Sequence, residues 1–283
     1  MASAAVLLPI GLLCIWLGGA AFLLLVAVAC VILGAEWLGM CGVPPADFRQ
    51  YWFPAGIVLI AVCGGVGRPE VALAILLLLV AAAQFSGRET GGGTKGGSPA
   101  SVDHHHTGAS AAVHHLRFRV GFGAVYLGLA AIALPWLRDD PVAGLANTLF
   151  ALAVVWGSDI GAYMLGRLAG GPKLAPAISP GKTWSGAVGG LISATLSGLV
   201  VAACFSSEFS SIHVIGLALG LGIISQAGDL LESALKRHFG VKDSGRIIPG
   251  HGGLLDRLDA LLAVAPAAAL LAFTVGRGVV LWR

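Results

Sequence analysis

The sequence predicts an all-α integral membrane protein, a polytopic helical bundle of about nine transmembrane helices. Three observations lead there. Hydrophobic residues make up 57% of the 283 and charged residues only 11%. The mean hydropathy is +0.89, far above that of a soluble domain. Apolar runs of roughly twenty residues recur along the chain, the length an α-helix needs to cross the hydrocarbon core. Runs of that kind satisfy their backbone hydrogen bonds internally, which points to helices rather than to a barrel.

The elements follow in order. Residues 4–40 form a long apolar run interrupted by Gly18-Gly19 and ended by Glu36, and a pair of short helices suits that length better than one tilted span. No basic segment precedes the run and no cleavage site ends it, which disfavours a signal peptide. A polar turn at 44–50 leads to apolar runs at 52–66 and 71–85. Residues 86–115 are rich in Gly, Ser and His without periodicity and read as a linker. Its His104, His105, His106, His114 and His115 are expected to belong to a polar low-complexity loop rather than to a metal site. Further spans are expected at 119–136, 142–165, 184–205, 212–231 and 260–282.

Charge placement tests that count. With an inside N-terminus and nine spans, 13 of the 17 Lys/Arg fall on one side of the membrane. The positive-inside rule makes that side cytoplasmic. The net charge of +3 is too small to suggest nucleic acid. None of the five cysteines has ligand spacing, and four lie in apolar runs as small apolar side chains.

The charge that exists is concentrated. Ten charged side chains fall within residues 228–259, between two apolar runs. Asp229, Glu232, Ser233 and Lys236 recur at helical spacing on one face, and Ser225 extends that stripe by a turn. Ile247-Ile248-Pro249-Gly250-His251-Gly252-Gly253 then returns the chain. A new helix is expected near Leu254, with Asp256 and Asp259 in its first turn, where carboxylates are tolerated well. Two helix ends that present carboxylates, joined by a basic glycine-containing loop, suit a divalent cation bridging a polyphosphate.

A second polar island lies on the same face, two spans upstream. Asp159, Tyr163 and Arg167 share a helical face. Asp159 in lipid would cost about 2.5–3.5 kcal/mol on insertion scales, so it is expected to face protein or water, in a salt bridge to Lys182 or Arg257 or in direct contact with a ligand. Ser179-Pro180-Gly181-Lys182-Thr183 is not a P-loop, because Pro176 stands where its first glycine belongs. At a helix start it still offers N–H groups, a hydroxyl and an ammonium to phosphate oxygens. Small residues at Gly157 and Gly161, Gly186 and Gly190, and Ser193 and Ser197 read as close helix packing. No Ser/His/Asp or Cys/His arrangement is present. The composition therefore suits metal-assisted phosphoryl or nucleotidyl transfer at a membrane surface. An ion-coupled transporter is the alternative from another class, although the acidic residues sit on one face and no inverted repeat is visible.

Ser233-Ala234-Leu235-Lys236-Arg237, Lys242-Asp243 and Ile248-Pro249-Gly250-His251-Gly252-Gly253-Leu254-Leu255-Asp256-Arg257-Leu258-Asp259 together resemble the signature of the phosphatidate cytidylyltransferases (CDP-diacylglycerol synthases). No position departs from it over 27 residues, and the likeness extends back to Trp156. The resemblance implies transfer of CMP from CTP to phosphatidic acid, giving CDP-diacylglycerol and pyrophosphate in phospholipid biosynthesis, rather than phosphorylation of a polyprenol. It implies Mg²⁺, with room for a second cation, and as partners CTP, phosphatidic acid and membrane lipids but no nucleic acid; a homodimer is compatible.

On that reading the catalytic residues are Asp229, Asp256, Lys236 and Lys182. Asp229 and Asp256 are expected to hold the metal, with Asp159, Glu232 and Asp259 as further candidates. Ser179, Lys182, Thr183, Lys236, Arg237, Lys242, His251 and Arg257 are expected to bind substrate. The expected organisation is N-terminal transmembrane helices over 1–85, a cytoplasmic low-complexity linker over 86–116 and a catalytic transmembrane domain over 117–283. The expected location is the inner cell membrane, multi-pass, with the site facing the cytoplasm.

Overall fold

The computed structural model describes residues 2–85, 105–245 and 252–283. Among them the chain forms α1 (Ala2–Leu17), α2 (Gly19–Met40), α3 (Arg49–Gly65), α4 (Pro69–Phe85), α5 (His105–Arg138) and α6 (Gly144–Ala169). A hairpin of β1 (Lys173–Ala175) and β2 (Ser179–Thr183) follows, then α7 (Trp184–Phe205), α8 (Ser211–His238) and α9 (Leu255–Val275).

The structure departs from three expectations. First, among the described residues six helices (α2, α5 from His114 onward, α6, α7, α8 and α9) are long and apolar enough to cross a membrane by length and composition, so the count of nine is not confirmed. Helices α1, α3 and α4 have 16, 17 and 17 residues. At 1.5 Å per residue such helices reach only about 25 Å, against a core of about 30 Å. Second, the fold is not purely helical, because Pro172, Pro176 and Pro180 deny the 172–183 segment a helix and it pairs as an antiparallel hairpin instead. A two-stranded ribbon is all edge, so Pro180 inside β2 costs no ladder bond it cannot spare. Third, α5 begins at His105, inside the stretch expected to be linker, where alanines at 109, 111 and 112 favour a helix. The rest of that stretch, with His104, lies outside the described residues.

The break in the first apolar run falls where the glycines predicted it. Gly18 and Gly19 have φ of 65° and 48°, and a Cβ on Gly18 would lie 2.6 Å from Arg138 Nη2. That guanidinium donates to the Ile15 and Trp16 carbonyls at 2.7 and 3.0 Å, satisfying the end of α1.

Helix α5 packs against α2, α3 and α4 on one side and α9 on the other. Trp37 at the end of α2 is fully buried, donates Nε1–H to the Arg119 carbonyl at 3.1 Å and packs against Phe122, Tyr126 and Phe239. The closest pair is α6 and α7, built on the small residues that the sequence placed at helical spacing. A Cβ at Gly186 would lie 2.8 Å from the Ala162 carbonyl, and one at Gly190 would lie 2.9 Å from that of Ser158. The opposite face of α7 exposes Val188, Ile192, Leu196 and Val200, each more than half accessible. Small residues inward and large apolar ones outward is the arrangement of a helix that packs in lipid. The chain end after α9 returns to α6, where Trp282 stacks on Phe150 and Asn147 exchanges hydrogen bonds with Val279 and Leu281.

Candidate active site

The hairpin brings a lysine to a helix crossing. Lys182 on β2 meets Asp229 of α8 with Nζ 2.6 Å from Oδ2. Arg237 Nε, at the far end of α8, reaches the Ile178 carbonyl in the hairpin turn at 3.5 Å. Beneath the hairpin lies a cavity of about 590 Å³, lined by Asp159, Tyr163 and Arg167 of α6, Lys182 of β2, and Gln226 and Asp229 of α8. Its size falls in the range of small-molecule sites, ~300–1,000 Å³. The Arg167 guanidinium donates to the Tyr163 hydroxyl at 3.0 Å, as their shared face required. Gln226 bridges helices, donating to the Ala187 carbonyl at 2.9 Å.

Helix α9 supplies more carboxylates. At its crossing with α8, a Cβ on Gly228 would meet the Asp259 carbonyl at 3.2 Å, so only glycine lets the helices approach this closely. Asp159, Asp229 and Asp259 lie within electrostatic reach of one another, with Lys182 among them. One ammonium among three carboxylates leaves an excess of hard anionic oxygen, the donor type that Mg²⁺ takes. Among the described residues no group of three or more His, Cys, Asp or Glu side chains is close enough to hold a metal by itself. Mg²⁺ needs no such cage, because one or two carboxylates with substrate phosphates and water suffice.

Asp256 belongs to a second group. Its carboxylate accepts from Lys236 Nζ at 2.8 Å, Ser244 N–H at 3.1 Å and Gly253 N–H at 2.9 Å. Lys236 also lies 2.7 Å from Glu232 Oε2, as an ion pair out of line for a good hydrogen bond, and Glu232 is otherwise buried without a donor. Ser225 Oγ, two turns deeper on α8, is likewise buried without a partner. The structure thus ties each member of the expected metal pair to its own lysine: Asp229 to Lys182 at the cavity, Asp256 to Lys236 at the start of α9.

A model of the cytidylyltransferase family matches residues 1–275. The chain belongs to the cytidylyltransferase family. It is 53% identical over 143 residues to the phosphatidate cytidylyltransferase of Brucella suis biovar 1 (strain 1330), a match covering 50% of this chain and 53% of that protein. The phosphatidate cytidylyltransferase of Staphylococcus saprophyticus is 47% identical over 141 residues, again 50% of this chain and 53% of the relative. That of Bacillus subtilis (strain 168) is 41% identical over 150 residues, 52% and 56% of the two. The chain spans about half the length of the curated relatives it matches.

Within this cytidylyltransferase-family chain, the remaining predicted residues divide clearly. Thr183 is the N-cap of α7 and accepts from Gly186 N–H at 3.1 Å, so its hydroxyl already has a structural task. Ser179 opens β2 opposite Ala175. Arg237, Lys242 and Arg257 are exposed at the same end of the molecule. His251 lies outside the described residues. Lys182, one of the two partners expected for Asp159, pairs with Asp229 instead. The sequence reading missed Gln226, Tyr126 and Glu36. Tyr126 donates to the Asp259 carbonyl at 3.3 Å. Glu36 stood as the single charged residue of the apolar α2, a signal that could have singled it out, whereas Gln226 follows Ser225 on the polar end of α8.

Proposed function

We propose that the protein is a phosphatidate cytidylyltransferase, an inner-membrane enzyme of phospholipid biosynthesis whose site faces the cytoplasm. The observation that carries this reading is the cavity where Asp159, Lys182 and Asp229 converge, on a chain of the cytidylyltransferase family. A phosphate oxygen of phosphatidic acid attacks the α-phosphorus of CTP in line. The bond from that phosphorus to the β-phosphate's bridging oxygen breaks, and pyrophosphate leaves. The attacking phosphate is already an anion, so no strong base is required. The obstacle is repulsion between two anions, which positioned cations must offset.

Lys182 stands at the cavity to meet CTP phosphates once it releases Asp229. Lys236, Arg237, Lys242 and Arg257 form the basic rim that holds the triphosphate and the lipid headgroup. Asp229 and Asp256, together with substrate phosphates, would hold Mg²⁺, which would supply neutralisation of the charge on the leaving phosphates. Asp159 shapes the field of the same cavity from α6.

The test is a substrate panel. Protein purified in detergent is given phosphatidic acid, Mg²⁺ and each of the four ribonucleoside triphosphates. CTP alone should yield a nucleotide-linked lipid, with one pyrophosphate per lipid formed. Equal turnover of all four nucleotides, or ion flux without turnover, would contradict the proposal.

A further inference from the structure

The first turn of α9 has no cap of its own. A helix begins with backbone N–H groups that lack intrahelical partners, and a Ser, Thr, Asp or Asn just before it usually accepts from them. Here the N-cap position is Leu254, whose side chain can accept nothing. The acceptors come instead from α2, more than two hundred residues earlier. Glu36 is only 5% exposed, and its two oxygens accept from Leu254 N–H at 2.9 Å and Leu255 N–H at 2.8 Å. The Ser244 hydroxyl lies 3.3 Å from the same carboxylate. Asp256, on the other side, takes the N–H groups of Ser244 and Gly253. Two carboxylates from opposite ends of the chain thus meet at Ser244 and at the start of α9, Glu36 through the Ser244 hydroxyl and Asp256 through its N–H.

We propose that Glu36 is a positioning residue for the active site, setting the first turn of α9 and with it the aim of Asp256 and Asp259. The part concerning catalysis rests on the function proposed above. An acidic side chain at a helix start is favoured by the macrodipole, and bonds from N–H to a carboxylate are about twice as strong as neutral ones. A local cap would secure the helix end to its own loop; Glu36 secures it to α2. The end of α2 is itself immobilised, because the next residue is the fully buried Trp37, bonded to the Arg119 carbonyl. The arrangement also explains two glycines. A Cβ at Gly245 would lie 2.6 Å from Glu36 Oε1, and one at Gly253 would lie 2.8 Å from both oxygens and collide with the Ser244 hydroxyl. Bare backbone there is what lets the carboxylate reach both segments.

The test combines amide exchange with kinetics on the full-length protein. Glu36→Gln keeps the size of the side chain but turns an NH₂ group toward one of the donors. Exchange at the Leu254 and Leu255 amides should rise about tenfold or more as the turn opens locally. Turnover per folded molecule should fall by about 100-fold, the scale of a ~1 Å misplacement at a reacting centre. The KM for phosphatidic acid should change far less than turnover, because of the proposed rim only Arg257 stands on that turn. Gly245→Ala, which keeps the carboxylate but crowds it, should show the same signature more weakly and serves if Glu36→Gln does not fold. Glu70→Gln, at an exposed carboxylate of α4, should change neither readout. A folded Glu36→Gln protein with unchanged exchange, or with faster exchange and normal turnover, would overturn the proposal. If the unaltered protein made no CDP-lipid, the functional reading would fall instead, and the amide exchange alone would decide whether Glu36 holds the turn.

Discussion

At the scale of single residues, two carboxylates of the candidate site are each tied to a lysine: Asp229 to Lys182 and Asp256 to Lys236. A structural pair and a catalytic pair look alike in a static arrangement, and substitution separates them. Asp229→Asn and Asp256→Asn keep shape and remove charge. If both carboxylates serve transition-state charge stabilisation of several kcal/mol, each variant should lose about 100-fold or more in turnover. The double variant should be scarcely worse, because groups acting as one unit are not additive. Asp243→Asn, at an exposed position, should be mild. Activity per folded molecule against Mg²⁺ concentration is the measurement. Poor folding with normal specific activity and normal Mg²⁺ dependence would reduce both aspartates to structural ion pairs. The residues of the proposed site stood out in the sequence because charge is rare in this chain. Their grouping did not, since spacing along one helix cannot say which lysine on another element arrives first. Lys182 was visible; that a hairpin carries it to Asp229 was not.

At the scale of elements, the α6–α7 contact follows from glycines and serines at helical spacing, and so was readable in advance. The joints between elements were less so. Asp140 precedes α6, and its carboxylate accepts from the Val142 and Ala143 N–H groups at 2.9 Å each and from Gly278 N–H beyond α9, with Arg277 beside it. Burial pushes its pKa up, but those three backbone donors and the guanidinium outweigh burial and hold it below the ordinary 3.8. A carboxylate depressed in the folded state stabilises the fold above its unfolded pKa, and that contribution is lost as pH falls through the folded one. The melting temperature in detergent should therefore be higher for the unaltered protein than for Asp140→Asn at neutral pH. The gap should narrow as pH drops below about 4. A constant gap between pH 7 and 3 would show that this joint does not depend on the charge. Nothing in the sequence pairs residue 140 with residue 278, because the link exists only once the bundle has closed.

For the whole molecule, composition alone fixed the class, while the number of spans needed the structure. Glycine pairs and prolines cut the N-terminal apolar sequence into helices shorter than a bilayer, and an apolar run does not announce its helix length. The N-terminal half is no mere anchor, since α2 reaches across to the start of α9 through Glu36 and Trp37. The central claim is that the intact bundle transfers a cytidylyl group to a lipid phosphate. It is tested most directly by where label goes. CTP labelled at the α-phosphate and CTP labelled at the γ-phosphate are each incubated with the purified protein and phosphatidic acid. The α-label should enter the lipid fraction and the γ-label should leave in pyrophosphate; γ-label in the lipid, or no label there from either, would contradict the account.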